Sequence, residues 1–113
     1  MAKHVFVVFT NPVAGQDGTY NDWYTNQHLP DVLNVPGFVS AQRFKLSDAQ
    51  RAAGPFPWQY LALYQIETDN LKKTLATLAE RSGTSAMVMS DALAAERLAW
   101  VFDPITPDVA ARK

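Results

Sequence analysis

A histidine with a tyrosine before it and an aspartate after it is the strongest candidate for chemistry in this sequence. If Tyr24, His28 and Asp31 lie on one helix, Tyr24 is one turn before His28 on the same face, and Asp31 follows three residues later. An imidazole has an ordinary pKa of about 6.5, so it can take and give a proton near neutrality. A carboxylate beside it can fix its tautomer and favour its protonated form. We therefore predict that His28 is an acid/base catalyst, assisted by Tyr24 and oriented by Asp31.

The same residues also allow a structural interpretation. Pro30 has no amide hydrogen, so a regular helix is expected to end or kink just before it. His28 would then cap the last carbonyls of that helix, with a favourable helix-dipole contribution. Asp31 would be an N-cap-like partner for one further helical turn. The residues alone leave both interpretations open.

Four more residues are candidates for ligand contacts. Trp23 and Tyr24 form an aromatic surface, and Asn11 follows the first predicted strand where the chain turns. Tyr64 and Trp100 are predicted to line a sheet face, where their polar groups need hydrogen-bond partners if they are buried. We predict substrate contacts for Trp23, Asn11, Tyr64 and Trp100. The alternatives are core packing for Trp23 and a turn-stabilising role for Asn11.

The elements that must position these residues follow from hydrophobic pattern and turn residues. Segments rich in β-branched and aromatic residues predict strands at 4–10, 38–46, 58–67 and 96–102. One helix is predicted to begin at a capping box formed by Thr19 and Asp22, and a second helix spans 71–81 before Gly83. The order βαββαβ predicts an α+β, ferredoxin-like fold, with a four-stranded antiparallel sheet and two helices on one face.

The face of the sheet away from the helices is predicted to be apolar. The first strand reads HVFVVFT and is apolar on both sides, and aromatic surface is added by Trp58, Tyr60, Tyr64, Trp100 and Phe102. An exposed face of this kind is a liability in a monomer. We therefore expect a homodimer in which two sheets pack together as a dimeric α+β barrel.

Residues 20–44 (YNDWYTNQHLPDVLNVPGFVSAQRF) resemble the EthD-like branch of the dimeric α+β-barrel superfamily. In that group an aromatic-rich first helix carries Trp-Tyr and then His-Leu-Pro, and a Pro-Gly turn leads into the second strand. Residues 100–105 (WVFDPI) are similar to the group's last strand and its exit. The resemblance implies the same barrel fold. The superfamily includes cofactor-free monooxygenases, polyketide cyclases, lactone isomerases and haem enzymes, and many EthD-like members are linked to the breakdown of organic compounds.

Composition excludes several classes of function. The 113 residues fit one domain at 1–113, with 104–113 as a C-terminal tail. A net charge of -1 with scattered Lys and Arg gives no surface for nucleic acid, and the absence of cysteine excludes disulfides and thiolate chemistry. His4 and His28 form no metal motif, and we expect neither metal nor haem. No export or membrane signal is visible, so we expect a cytoplasmic protein.

We therefore predict a small cofactor-free enzyme or accessory protein that acts on a hydrophobic aromatic or polyketide-like carbonyl compound in a degradative pathway. This hypothesis requires a cavity of roughly a few hundred Å³ between helices and sheet, opening near His28. One alternative is a non-catalytic dimer that binds a small ligand in the same cavity. A second alternative is a purely structural dimer whose core is filled.

Overall fold

The computed structural model describes residues 1–112 and has the predicted order of elements. The strands are β1 (Ala2–Pro12), β2 (Phe38–Lys45), β3 (Tyr60–Thr68) and β4 (Leu93–Phe102). The first helical element has three consecutive segments, which are α1 (Asp17–Trp23), a π-helix (Tyr24–His28) and α2 (Leu29–Leu33). The second helical element is α3 (Leu71–Arg81). The predicted α+β, ferredoxin-like fold is confirmed.

The four strands form one antiparallel sheet in the order β2-β3-β1-β4. Strand β1 lies in the interior of the sheet, with Val8 opposite Ala62 of β3 and Ala99 of β4. Residues directly opposite each other lie on the same face, and successive residues of a strand alternate between faces. This register decides which side chains of each strand meet the helices.

The core lies between the helices and one face of the sheet. Its largest fully buried side chains come from the first helical element, β3 and the segment after α3, and they include Tyr20, Val32, Tyr64, Ile66 and Met87. Tyr64 and Ile66 are two residues apart on β3 and therefore lie on one face of the sheet, and the buried residues of the first helical element recur at helical spacing. The apolar pattern of the sequence therefore accounts for the packing. We call the side of the sheet that packs against them the inner face.

The opposite side of the sheet is apolar and open, and we call it the outer face. It carries Val5, Val7 and Phe9 of β1, Leu61 and Leu63 of β3, Phe44 of β2, and Leu98, Trp100 and Phe102 of β4. Trp100 and Phe102 are 52% and 53% exposed, and Phe44 is 40% exposed. The predicted apolar face is therefore present in the single chain, whereas the homodimer stays a prediction.

The first helical element differs from the sequence prediction at its start and just before Pro30, whereas the predicted further turn is present as α2 (Leu29–Leu33). Helix α1 begins at Asp17 after Gln16, and no side chain caps it, so the predicted capping box at Thr19 is wrong. Pro30 does not end the helix, because the chain widens into the π-helix and continues through α2. A proline ring clashes with the carbonyl four residues before it in a regular α-helix, and the wider turn relieves that clash. His28 therefore does not cap a helix end.

The strand boundaries also shift. Strand β3 begins at Tyr60 rather than at residue 58, and β4 begins at Leu93 rather than at residue 96. Trp58, expected on the face of Tyr60, instead lies with its ring 6.5 Å from that of Phe9 on the outer face. Residues before Tyr60 are not part of β3, so the alternation of side chains along that strand does not predict the face on which Trp58 lies.

None of the helices in residues 1–112 has the length and hydropathy needed to cross a membrane.

Candidate functional site

A cavity of about 600 Å³ lies between the inner face of the sheet and the helices. Apolar side chains make most of its wall, and they include Phe6, Val8, Val32, Leu75, Leu78 and Met87. Five polar residues interrupt this wall, namely Tyr24, His28, Tyr64, Ser82 and Arg97. An apolar pocket with a few polar groups is the usual form of a site for a small molecule.

The π-helix brings Tyr24 and His28 together at the cavity. Their rings meet edge to face, with centroids 5.0 Å apart. Trp23 stacks on the imidazole at 4.7 Å, and its indole N–H donates to the carbonyl of Val88 at 2.9 Å. Trp23 does not line the cavity, so its contact with a ligand is not supported. It holds the His28 ring in place instead.

His28 is a neutral hydrogen-bonding group in this environment. Burial lowers the pKa of its imidazole to about 4, although the nearby Asp31 carboxylate acts in the opposite direction. Its Nδ1 atom is buried and has no hydrogen-bond partner within residues 1–112. Because buried polar atoms are almost always bonded, an unpaired imidazole nitrogen on a residue of the cavity wall is a candidate for a ligand contact.

Tyr64 supplies the second unpaired polar atom. It lies on β3, on the same face as Ala62 and Ile66, and its ring is almost fully buried. Within the described part of the chain the Tyr64 hydroxyl is buried and makes no hydrogen bond of normal geometry, although the Tyr24 phenol lies beside it. Burial, together with the Tyr24 phenol, raises the pKa of Tyr64 far above its ordinary value. Burial also raises the pKa of Tyr24 to about 12. Both phenols therefore stay protonated and can donate a hydrogen bond.

Asp31 lies one turn after His28 but is engaged elsewhere. Its Oδ2 accepts a hydrogen bond from Nε2 of Gln27 at 2.8 Å. Within residues 1–112 no hydrogen bond joins Asp31 to His28. The carboxylate acts on the imidazole through its charge alone, and the predicted orienting role has no contact to support it.

Asn11 and Trp100 lie away from the cavity. The Asn11 side chain donates to the carbonyl of Pro57 and accepts from the amide of Gln59, both at 2.8 Å. It therefore fixes the loop before β3, which was the alternative interpretation of this residue. Trp100 is opposite Val7 on the outer face. Tyr64 and Trp100 were predicted to line a sheet face, but they lie on opposite faces.

Arg97 is a cavity residue that the sequence predictions missed. It lies on β4 opposite Thr10, and Thr10 faces the helices because its hydroxyl hydrogen-bonds that of Tyr20. Arg97 therefore shares the inner face with Ala99, which also lines the cavity. Side chains alternate between faces along a strand, so placing Trp100 on the outer face would have predicted that Arg97, three residues earlier, lies on the inner face.

The described residues contain no group of three or more side chains arranged to hold a metal ion.

Comparisons with known proteins give one similar segment and one similar fold. No protein-family model matches the chain. A segment of 51 residues is 39% identical to Core atranone cluster (CAC) protein 1 of Stachybotrys chlorohalonatus. That match covers 45% of this chain and 20% of the length of the fungal protein.

A crystal structure of an ethyl tert-butyl ether D (EthD) family protein from Bacillus halodurans is similar to the whole fold. The two superpose with a TM-score of 0.50 over 93% of this chain and 100% of that protein, at 13% sequence identity. At this identity the likeness concerns the path of the backbone and not the residues of the site.

Proposed function

We propose that this chain, which has an EthD-like fold, binds a hydrophobic carbonyl compound in its cavity and transfers a proton at the carbon next to the carbonyl. An aromatic or polyketide-like ketone is the proposed substrate, and its breakdown is the proposed context. The cavity supports this class because its wall is mainly apolar and its few polar residues include a neutral base and two protonated phenols.

The observation that carries this proposal is that two buried polar atoms have no hydrogen-bond partner. Among the described residues, the buried side-chain polar atoms without a hydrogen-bond partner are His28 Nδ1 and the Tyr64 hydroxyl, and both residues line the cavity. An unbonded buried polar group costs roughly 1–3 kcal/mol. A ketone oxygen that accepts from Tyr64 satisfies that hydroxyl on binding, and the α-proton reaches the imidazole of His28 in the transfer step.

The proposed reaction moves one proton and needs no redox partner. A His28 ring nitrogen takes the proton from the α-carbon, and the electron pair of that C–H bond forms the enolate. The Tyr64 hydroxyl donates a hydrogen bond to the oxygen on which the negative charge develops. Return of the proton to oxygen gives the enol, and return to the same carbon gives exchange or racemisation. Attack of the enolate on a second carbonyl of the ligand forms a ring and an alkoxide, and the alkoxide takes the proton back from His28.

Deuterium exchange tests this proposal without knowledge of the natural substrate. The full chain is incubated in D₂O with 2-tetralone and other aryl ketones, and NMR follows the loss of the α-proton signal. We expect the wild-type protein to accelerate exchange and His28→Gln to abolish the acceleration. Tyr64→Phe should reduce it by about 10²-fold, as expected for loss of one oxyanion donor.

The second histidine is the matched control. His4 lies on β1 and pairs with Asp103 at 2.6 Å, away from the cavity lining, so His4→Gln should exchange at the wild-type rate. Exchange by the wild-type protein that is no faster than exchange by His28→Gln contradicts the proposed reaction.

The low pKa of His28 favours a second candidate, a binding protein without catalysis. A base with a pKa of about 4 is poorly matched to proton transfer at neutral pH. Such a protein would bind the aryl ketones and show no exchange, and His28→Ala would leave its affinity nearly unchanged.

We also propose that the outer face is covered by a second copy of this chain. Its apolar strands and the half-exposed rings of Trp100 and Phe102 support an isologous contact, in which the same surface of each copy meets its equivalent.

A further inference from the structure

Arg97 is the one permanently charged residue in the cavity wall within the described part of the chain. The other polar residues of the wall are Tyr24, His28, Tyr64 and Ser82, and no aspartate or glutamate of residues 1–112 lines the cavity. Among these residues, therefore, no side chain of the wall balances the positive charge of Arg97.

The Arg97 guanidinium is also free of protein partners. Within residues 1–112 it makes no hydrogen bond and no ion pair, and the residue is exposed at the side of the cavity formed by β4. Its neighbours on the inner face of β4 include Ala99, whose small side chain leaves space for a ligand beside it. Its five N–H donors are therefore directed to solvent or to a bound molecule.

Arg43 shows what an engaged arginine looks like in this protein. Its guanidinium donates to Asn21 at 2.9 Å and to Thr25 at 3.0 Å. It also lies over the ring of Tyr24, 4.5 Å from the ring centroid. Arg43 stabilises the packing of the first helical element on the sheet, and it does not line the cavity. Arg97 has no comparable structural role.

We propose that Arg97 binds a carboxylate on the ligand, so that the preferred ligand is a hydrophobic carbonyl compound that also carries an acid group. This inference rests on the proposed function of the cavity and narrows its substrate class. A guanidinium matches a carboxylate with two parallel hydrogen bonds, and a charged pair of this kind is stronger than a neutral one. The apolar body of the ligand would lie against Val8, which is opposite Ala99 on the inner face, and against Phe6 two residues further along β1.

A ligand with a carboxylate would also change the pKa of His28. The charged groups that act on His28 are Asp31 of α2, Arg97 of β4 and Arg43 of β2, and both arginines lower its pKa. The neutral phenols of Tyr24 and Tyr64 face the same cavity. Burial is the largest cause of the low pKa of His28, and a carboxylate on Arg97 would offset only the part that comes from that arginine.

A matched pair of probes tests the proposal. We would titrate the full chain with 2-naphthoate and with 2-naphthamide, which share one ring system and differ in charge, and measure both dissociation constants by calorimetry. The wild-type protein should bind the acid at least tenfold more tightly than the amide. Arg97→Gln should remove this preference, and Arg97→Lys should keep part of it. Arg51→Gln, an exposed arginine of the loop before β3, should keep all of it.

The outcomes separate this inference from the function on which it rests. Equal affinities for acid and amide, or a preference that survives in Arg97→Gln, overturn the role of Arg97 and leave the cavity as a ligand site. If neither probe binds the wild-type protein, the proposed function fails and this inference fails with it. Thermal unfolding of each variant confirms that a lost preference does not reflect lost folding.

Discussion

The chemistry available at His28 depends on the residues around it. Trp23 stacks on the imidazole, Tyr24 meets its edge, and burial keeps it neutral at physiological pH. Asp31 does not contact it. The ring therefore acts as an acceptor in a fixed position and not as a group that is half protonated at pH 7.

The low pKa of His28 predicts a pH dependence of stability. Between pH 6.5 and about pH 4 the unfolded chain binds more protons at this residue than the folded chain does. The free energy of unfolding therefore decreases as the pH falls through this window, by at most an amount on the order of 3 kcal/mol. Urea denaturation at a series of pH values measures the effect.

His28→Gln is the control for that measurement. The variant has no imidazole at this position, so the difference between its stability and that of the wild type should change between pH 6.5 and about pH 4 and level off outside this window. A constant difference across the range would show that the imidazole titrates normally.

The two buried tyrosines predict opposite effects of losing a hydroxyl. Tyr64→Phe removes an unpaired polar atom, so stability should stay the same or rise by about 1 kcal/mol while ketone exchange falls. Tyr20→Phe breaks a hydrogen bond with Thr10, and stability should fall by about 1 kcal/mol or more. Urea denaturation of both variants measures the contrast, and a loss of stability in Tyr64→Phe would mean that its hydroxyl is bonded.

Individual residues show what spacing can predict and what it cannot. The contact between Tyr24 and His28 follows from helical spacing, and the structure has it. The unpaired Tyr64 hydroxyl and the inward position of Arg97 depend on strand register, which the sequence leaves open. Asn11 was a candidate by its position at the end of the first strand, and its side chain binds the loop before β3 instead. Trp100 was a candidate by its place on the sheet, and strand register puts it on the outer face.

The first helical element depends on a local irregularity. Apolar spacing predicts a helix near Tyr20, and Pro30 predicts its end, yet the chain continues through a π-helix. The proline rule holds for a regular α-helix and does not anticipate a wider turn. By contrast, α3 spans the predicted residues, because Asn70 accepts a hydrogen bond from the amide of Lys73 and apolar residues recur on one side.

Helix α3 offers a matched pair of substitutions for testing the cavity. Ala76 and Ala79 are both exposed alanines of this helix, but only Ala79 lines the cavity. Ala79→Phe should fill part of the space and weaken binding of 2-naphthoate at least tenfold, as measured by calorimetry. Ala76→Phe should bind as the wild type does.

Similar affinity losses in both variants would point to a disturbed helix and not to a filled cavity. Circular dichroism of each variant reports whether α3 is retained. Unchanged affinity in Ala79→Phe would place the ligand outside this cavity.

The whole molecule has one sheet face covered by helices and one left open. The βαββαβ order was predictable because each strand and helix has its own apolar pattern. That order places both helical elements on one side, so the outer face follows from topology alone. What covers the outer face does not follow from a single chain.

A second copy on the outer face predicts a measurable assembly state. Sedimentation at micromolar concentration should give twice the mass of the chain. Trp100→Glu and Phe102→Glu place a charge among apolar strands and should raise the dimer dissociation constant at least 100-fold. Val13→Glu is the control, since Val13 is an exposed apolar residue outside the sheet face. A wild-type protein that sediments as a monomer rules out the pairing.

The stack of Trp23 on His28 gives the protein a built-in optical signal. A protonated imidazole quenches the fluorescence of an indole more strongly than a neutral one, so light emitted by Trp23 reports the charge on its neighbour. The other two indoles, Trp58 and Trp100, lie on the far side of the sheet and contribute a steady background. A ligand or a change of pH that alters the charge on the imidazole can therefore be followed by emission alone, in a sample that carries no dye.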